Sequence, residues 1–133
     1  MPQTLLQKRA AFAYAKVSAI SGAGQPREKD FRTRLLDLGT QLHTNGLGQT
    51  AAFYKSKADN ESGSYRETLA WLREWLADPE RRIFENPQGR DLLQLITSSD
   101  AEAYRKASVE AKEIALWFKR FAEAMLHSGQ GGD

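Results

Sequence analysis

Apolar side chains recur three and four residues apart along most of the chain, and strand-like alternation is nowhere sustained. Leu6, Ala10, Ala13, Val17 and Ile20 form one stripe and predict a first helix from about Thr4 to Ile20. Ser21-Gly22-Ala23-Gly24 then breaks the chain. Pro26 suits the first position of a second helix, where its missing N–H costs nothing. The core stripe of that helix is Phe31, Leu35, Leu38 and Leu42, with a bend expected at Gly39. Asn45-Gly46 supplies a stop, and a third helix follows from about Gly48 to Lys57.

Ser64 and Glu67 have capping-box spacing and predict the start of a fourth helix, burying Tyr65, Leu69, Leu72 and Leu76 and ending at Asp78-Pro79. Residues 78–90 read as irregular, and a short fifth helix is expected from about Gly89 to Thr97. A second box, Ser99 with Glu102, opens the last helix. Its stripe runs through Tyr104, Ala107, Ala111, Ile114, Phe118, Phe121 and Met125, and Gly129 ends it. The expectation is an all-α, compact bundle of five to six helices, one domain over residues 1–128 with a disordered tail at 129–133. Composition agrees: fifteen Leu and eighteen Ala stand against two Val and four Ile.

Charge adds a direction. Residues 1–57 carry nine Lys/Arg and three Asp/Glu, a surplus of six, whereas residues 58–133 carry ten and fourteen, a deficit of four. A basic half is the pattern of a polyanion-facing surface, although solvated outer helix faces give it too. At 133 residues the chain can bury roughly two thirds of its unfolded surface without staples. The absence of cysteine excludes disulfides, thiolate metal sites and a cysteine nucleophile. No apolar run approaches the ~20 residues of a membrane span, and the first residues lack the apolar block of a signal peptide, so a cytoplasmic location is expected.

Chemical motifs are missing. His43 and His127 stand apart and outside any zinc pattern, and Gly22-x-Gly24 lacks a third glycine and follows a helix. The carboxylates Glu110 and Glu113 share a helix with Lys106, Lys112 and Arg120, as a solvated face does. No catalytic residue, metal ligand or cofactor is expected.

Surface contacts are a different matter. Arg9 and Lys16 share a side of the first helix, and Lys29, Arg32 and Leu36 lie together opposite the core stripe of the second. Such side chains suit RNA or a neighbouring subunit; basic stems covering apolar surface, or an incidental surface leucine, would look the same. Trp117, and Trp71 with Trp75, flank their stripes, as interface anchors do and as large core residues also can. In the turn Thr44 to Thr50, Gly48 would let a phosphate approach a helix start, with Asn45, Gln49, Lys55 and Lys57 close by in sequence.

That segment, Thr44-Asn45-Gly46-Leu47-Gly48-Gln49-Thr50-Ala51-Ala52-Phe53-Tyr54-Lys55-Ser56-Lys57, resembles the signature of the small subunit of type III-B CRISPR effector complexes, the Cmr small subunit. Further matches follow in order: Ala13-Tyr14-Ala15-Lys16-Val17; Tyr65 with Leu69 and Trp75-Leu76; then Tyr104, Glu110-Ala111 and Leu116 to Ala124. Residues 78–98 and the tail are unmatched, and the resemblance leads one to expect a proline in many relatives where this chain has Gly39. The resemblance implies a non-catalytic, all-helical subunit in a few copies. It would stack on itself and on backbone subunits as a filament along the guide–target duplex, in antiviral defence. Its implied partners are the backbone and large subunits, its own copies, guide RNA and target RNA, with no membrane. The backbone subunits would cut RNA, and the large subunit would carry the cyclic-nucleotide and DNA activities. Arg9, Lys16, Lys29, Arg32, Asn45, Gly48, Gln49, Lys55 and Lys57 are then the candidate RNA contacts, and Leu36, Trp71, Trp75 and Trp117 the candidate subunit contacts. A helical adaptor that binds protein alone is the alternative.

Overall fold

A computed structural model describes residues 2–58 and 63–128. Among the described residues five α-helices occur in chain order: α1 (Leu5–Ile20), α2 (Arg27–Ala58), α3 (Gly63–Leu76), α4 (Leu92–Ser98) and α5 (Ala101–Met125). A 3-10 turn, Pro79–Arg81, follows α3, and no strand is present among the described residues. The fold is all-α, as the periodicity predicts. The tail expected to be disordered lies outside the described residues.

The chain forms two compact units. One, here the terminal unit, comprises residues 1–40 and 113–133; the other, the middle unit, comprises residues 41–112. The boundaries fall inside α2 and α5.

In the terminal unit α1 begins with a full capping box. Thr4 accepts the Gln7 N–H (3.2 Å) while Gln7 accepts the Thr4 N–H (2.9 Å), satisfying two orphan donors. Ala13, Val17 and Ile20 are buried, but Leu6, the expected start of the stripe, is exposed. Phe31, Leu35 and Leu38 of α2 are fully buried, as their spacing predicts, and each contributes roughly 1.5–3 kcal/mol. No bend occurs at Gly39. Its backbone stays helical, and a Cβ placed there would lie 4.0 Å from Ala115. From α5 the buried set is Ile114, Ala115, Phe118 and Ala122, while Phe121 and Met125 of the expected stripe are half-buried.

The break in α2 is at Gly46, inside the middle unit. Its φ of 83° and ψ of 166° lie in a region essentially closed to side-chain-bearing residues, so the chain turns here and resumes as helix. Beyond it Leu47, Ala51, Tyr54 and Ala58 are buried at four-three-four spacing. Ser64 does not cap α3: it lies within the helix with its side chain buried. The buried face is Ser64, Thr68, Trp71, Leu72, Trp75 and Leu76, so Tyr65 and Leu69 move to a half-buried flank and the helix ends two residues before the expected Asp78. Asp91 caps α4, accepting the Gln94 N–H at 2.8 Å and starting that helix three residues later than expected. Asp100, not Ser99, caps α5 by accepting the Ala103 N–H at 2.8 Å. Ser99 instead closes α4, its hydroxyl donating to the Ile96 carbonyl at 2.8 Å.

Candidate nucleic-acid interface

The candidate basic residues of the terminal unit lie on two helices. Lys29 is exposed, and Arg9, Lys16 and Arg32 are half-buried. The Lys16 ammonium lies 5.1 Å from the centre of the Phe12 ring, which meets Phe118 at 6.3 Å. The stem of Lys16 thus covers apolar surface as well as presenting charge. Leu36 is half-buried. Trp117 is half-buried too and stacks on Phe121 (5.6 Å, 27°), which meets the exposed Tyr14 edge-on at 5.6 Å.

Sequence reasoning misses the charge at the base of this unit. Glu28, in the first turn of α2, is buried and accepts the N–H groups of Gly24 and His127, both at 3.2 Å. Burial pushes the carboxyl pKa up. The N–H groups of Gly24 and His127, the His127 side-chain charge and the Gly22 N–H outweigh it and hold the pKa below the usual glutamate value. Ser21 and Gln25 donate to the Met125 and His127 carbonyls at 3.3 Å each, so the α1–α2 link clasps the last residue of α5 and the turn just beyond it. An acidic residue in a first helical turn is the one sequence clue, and it names no partner.

In the middle unit Asn45 and Gln49 are exposed beside the Gly46 break. Gly48 does not offer its N–H to an anion, as the sequence suggests, because that group donates to the Tyr104 hydroxyl at 3.0 Å. A Cβ at Gly48 would sit 3.4 Å from the same oxygen, so the close approach that glycine permits is taken by a side chain of α5. Across the break, the Thr50 hydroxyl donates to the Gln41 carbonyl at 3.1 Å. The Thr44–Thr50 segment is thereby accounted for as a joint: glycine turns it, Leu47 anchors it, and two hydroxyls satisfy the backbone groups it frees.

Lys55 is exposed and pairs with Asp91 at 3.4 Å. The Gln94 N–H foremost, with Lys55 assisting against the opposing effect of burial, holds the Asp91 carboxyl below its usual range. Lys57 is half-buried, its ammonium 5.6 Å from the Phe53 ring centre. Trp71 and Trp75 do not sit at an edge: both are buried, and the larger helical unit absorbs them. The Trp75 Nε1–H donates to Glu110 (3.0 Å), and the Arg81 guanidinium covers its ring at 3.6 Å.

Among the clefts formed by the described residues of this unit, two contain arginines. The larger, about 580 Å³, sets Arg82, Arg90 and Lys106 against Glu85, Asp100 and Glu102, a balance of charges that does not select an anion. The smaller, about 300 Å³, contains Arg66 and Arg73. Arg66 donates to the Ala58 carbonyl at the end of α2 (2.7 Å), and Arg73 to the Pro87 and Arg90 carbonyls (both 2.6 Å), so both act on the backbone. Among the described residues no three His, Asp or Glu side chains gather closely enough for a metal ion, and no helix is long and apolar enough to cross a membrane.

What the geometry defines, among the described residues, is an all-helical protein whose candidate contacts Arg9, Lys16, Lys29, Arg32, Lys55 and Lys57 lie on helix faces. The chain belongs to the CRISPR-associated Cmr5 family: the family model described as CRISPR-associated protein (Cas_Cmr5) matches residues 5–125. The chain is also similar to a CRISPR-associated Cmr5 family protein from Thermus thermophilus. That crystal structure matches with a TM-score of 0.72 and 25% identity, covering 94% of this chain and 100% of that one. The likeness carried by the Asn45-Gly46-Leu47 turn and the last helix thus names the right family.

Proposed function

We propose that this chain is a non-catalytic small subunit of a type III-B RNA-guided effector complex in the cytoplasm. It stacks with its own copies beside the backbone and large subunits and braces guide and target RNA through basic helix faces. The supporting observation is membership of the Cmr5 family over residues 5–125, read with the basic first half of the chain. Lys29, Lys55 and Lys57 are the foremost phosphate contacts, with Arg9, Lys16, Arg32, Asn45 and Gln49 around them. Such contacts position a nucleic acid without reading it, because base pairing between guide and target already supplies sequence specificity. Each contact is weak, and a linear array multiplies them.

The adaptor alternative relies on four side chains, and burial of Trp71 and Trp75 leaves it with Leu36 and Trp117. Charge reversal separates the two readings. Lys29→Glu, Lys55→Glu and Lys57→Glu together should leave the helical content unchanged while assembled complex releases target RNA at lower salt. The dependence of log affinity on log salt should become shallower, since fewer counterions are displaced. Undiminished RNA retention by an intact complex carrying all three reversals would refute the RNA-bracing role.

A further inference from the structure

Phe53 has no place in the phosphate-bracing account. It falls off the Leu47–Ala51–Tyr54–Ala58 stripe and is 39% exposed, a large apolar ring on an otherwise polar face of α2. The ring is held rather than loose. It meets Tyr65 edge-on (6.0 Å, 82°) and Tyr54 at 6.3 Å and 62°, and those two rings meet each other at 5.2 Å and 87°. The Tyr54–Tyr65 pair turns inward, since Tyr54 is fully buried and Tyr65 half-buried, which leaves Phe53 as the outward member. Gln49 stands four residues before it and Lys57 four after. At 1.5 Å of rise per residue, the three positions form a row with steps of about 6 Å.

An exposed amide, an aromatic ring and an ammonium in line are the elements of a single-strand platform. Every nucleobase has a π face that stacks on an aromatic ring, the cation takes the phosphate, and the amide reaches polar groups of base or ribose. Inside a duplex no base face is free for the ring, because the bases are stacked on one another. We infer that Phe53, flanked by Gln49 and Lys57, stacks an unpaired base of single-stranded RNA. The inference rests on the proposed RNA contact and deepens it: the middle unit prefers strand that is not paired, where phosphate bracing alone would accept paired and unpaired RNA alike.

The test uses the full-length protein and nuclear magnetic resonance, which registers even weak binding. The probes are a short single-stranded oligoribonucleotide of mixed sequence and a blunt RNA duplex of the same length, each at low salt. The single strand should shift the Phe53 ring protons and the Gln49 and Lys57 signals, with base protons moving upfield as ring stacking requires. Phe53→Leu, which keeps an apolar contact to Tyr65, should weaken single-strand binding about tenfold and leave duplex binding unchanged. Phe53→Tyr should retain both. Equal binding of the two probes, untouched by Phe53→Leu, would overturn the inference and leave the bracing role standing. Absence of any shift with either probe at millimolar RNA would overturn both. Loss of subunit assembly in Phe53→Leu with RNA signals unmoved would make the ring a protein contact and overturn the inference alone.

Discussion

The two units each contain a glycine-built turn, and they secure it by opposite chemistry. In the middle unit the Gly46 joint is held by neutral hydroxyls: Tyr104 receives the Gly48 N–H, and Thr50 donates to Gln41. In the terminal unit the Gly22–Gly24 link is held by a buried carboxylate, Glu28, which gathers the N–H groups of Gly24 and His127. Hydroxyls satisfy backbone groups as neutral partners. A carboxylate forms stronger hydrogen bonds, yet its hold depends on remaining ionised. The same structural need thus yields one joint held by neutral hydrogen bonds and one that acid loosens.

The largest effect should come from breaking the first joint at its pivot. Gly46→Ala forces a side chain into a backbone region that essentially excludes one, at about 3 kcal/mol, and should lower the melting temperature by roughly 10 °C. Tyr104→Phe keeps the ring and strands the Gly48 N–H, so about 2 kcal/mol of stability should go, equally at pH 5 and pH 7, in urea unfolding. Next comes Glu28→Gln, costing roughly 1 kcal/mol at neutral pH. Its sign with pH is fixed by the lowered folded-state pKa: the carboxylate stabilises above the ordinary glutamate range, and that contribution fades as the pH falls through the folded value. Wild type and variant should therefore converge in acid, a convergence that Tyr104→Phe must not show. The smallest effect belongs to Lys55→Ala. Its exposed pair with Asp91 should contribute under about 0.5 kcal/mol and vanish in high salt, while Asp91 goes on capping α4.

How far the sequence reveals these features depends on how local their causes are. The Asn45-Gly46 break, the start of α1 near Thr4 and the Phe31–Leu35–Leu38 stripe are legible because helical spacing and glycine chemistry act within one turn or two. The true function of Gly48 is not, since its partner Tyr104 lies 56 residues further on. On α3, Leu72 and Leu76 are buried as expected, but the first half of the inward face lies one position earlier than the pattern predicts. Small hydroxyl residues, Ser64 and Thr68, occupy buried sites where a hydropathy pattern expects solvent, and the two tryptophans shift inward with them. The candidate site divides in the same way. Basic residues can be found by counting, whereas the outward turn of Phe53 depends on Tyr65, a ring from another helix. The clue within reach is that position 53 falls off the stripe of 47, 51, 54 and 58.

The burial of Trp71 and Trp75, with Trp117 in the other unit, has an optical consequence. Two of the three indoles lie in the middle unit, and one of them carries a guanidinium over its face and a carboxylate on its N–H. The third is half-exposed against Phe121 in the terminal unit. Intrinsic fluorescence therefore comes from spectrally distinct emitters, shielded in one unit and part-hydrated in the other. Replacing Trp117 with phenylalanine leaves a protein whose light reports the middle unit alone, and replacing the other two leaves one that reports the terminal unit.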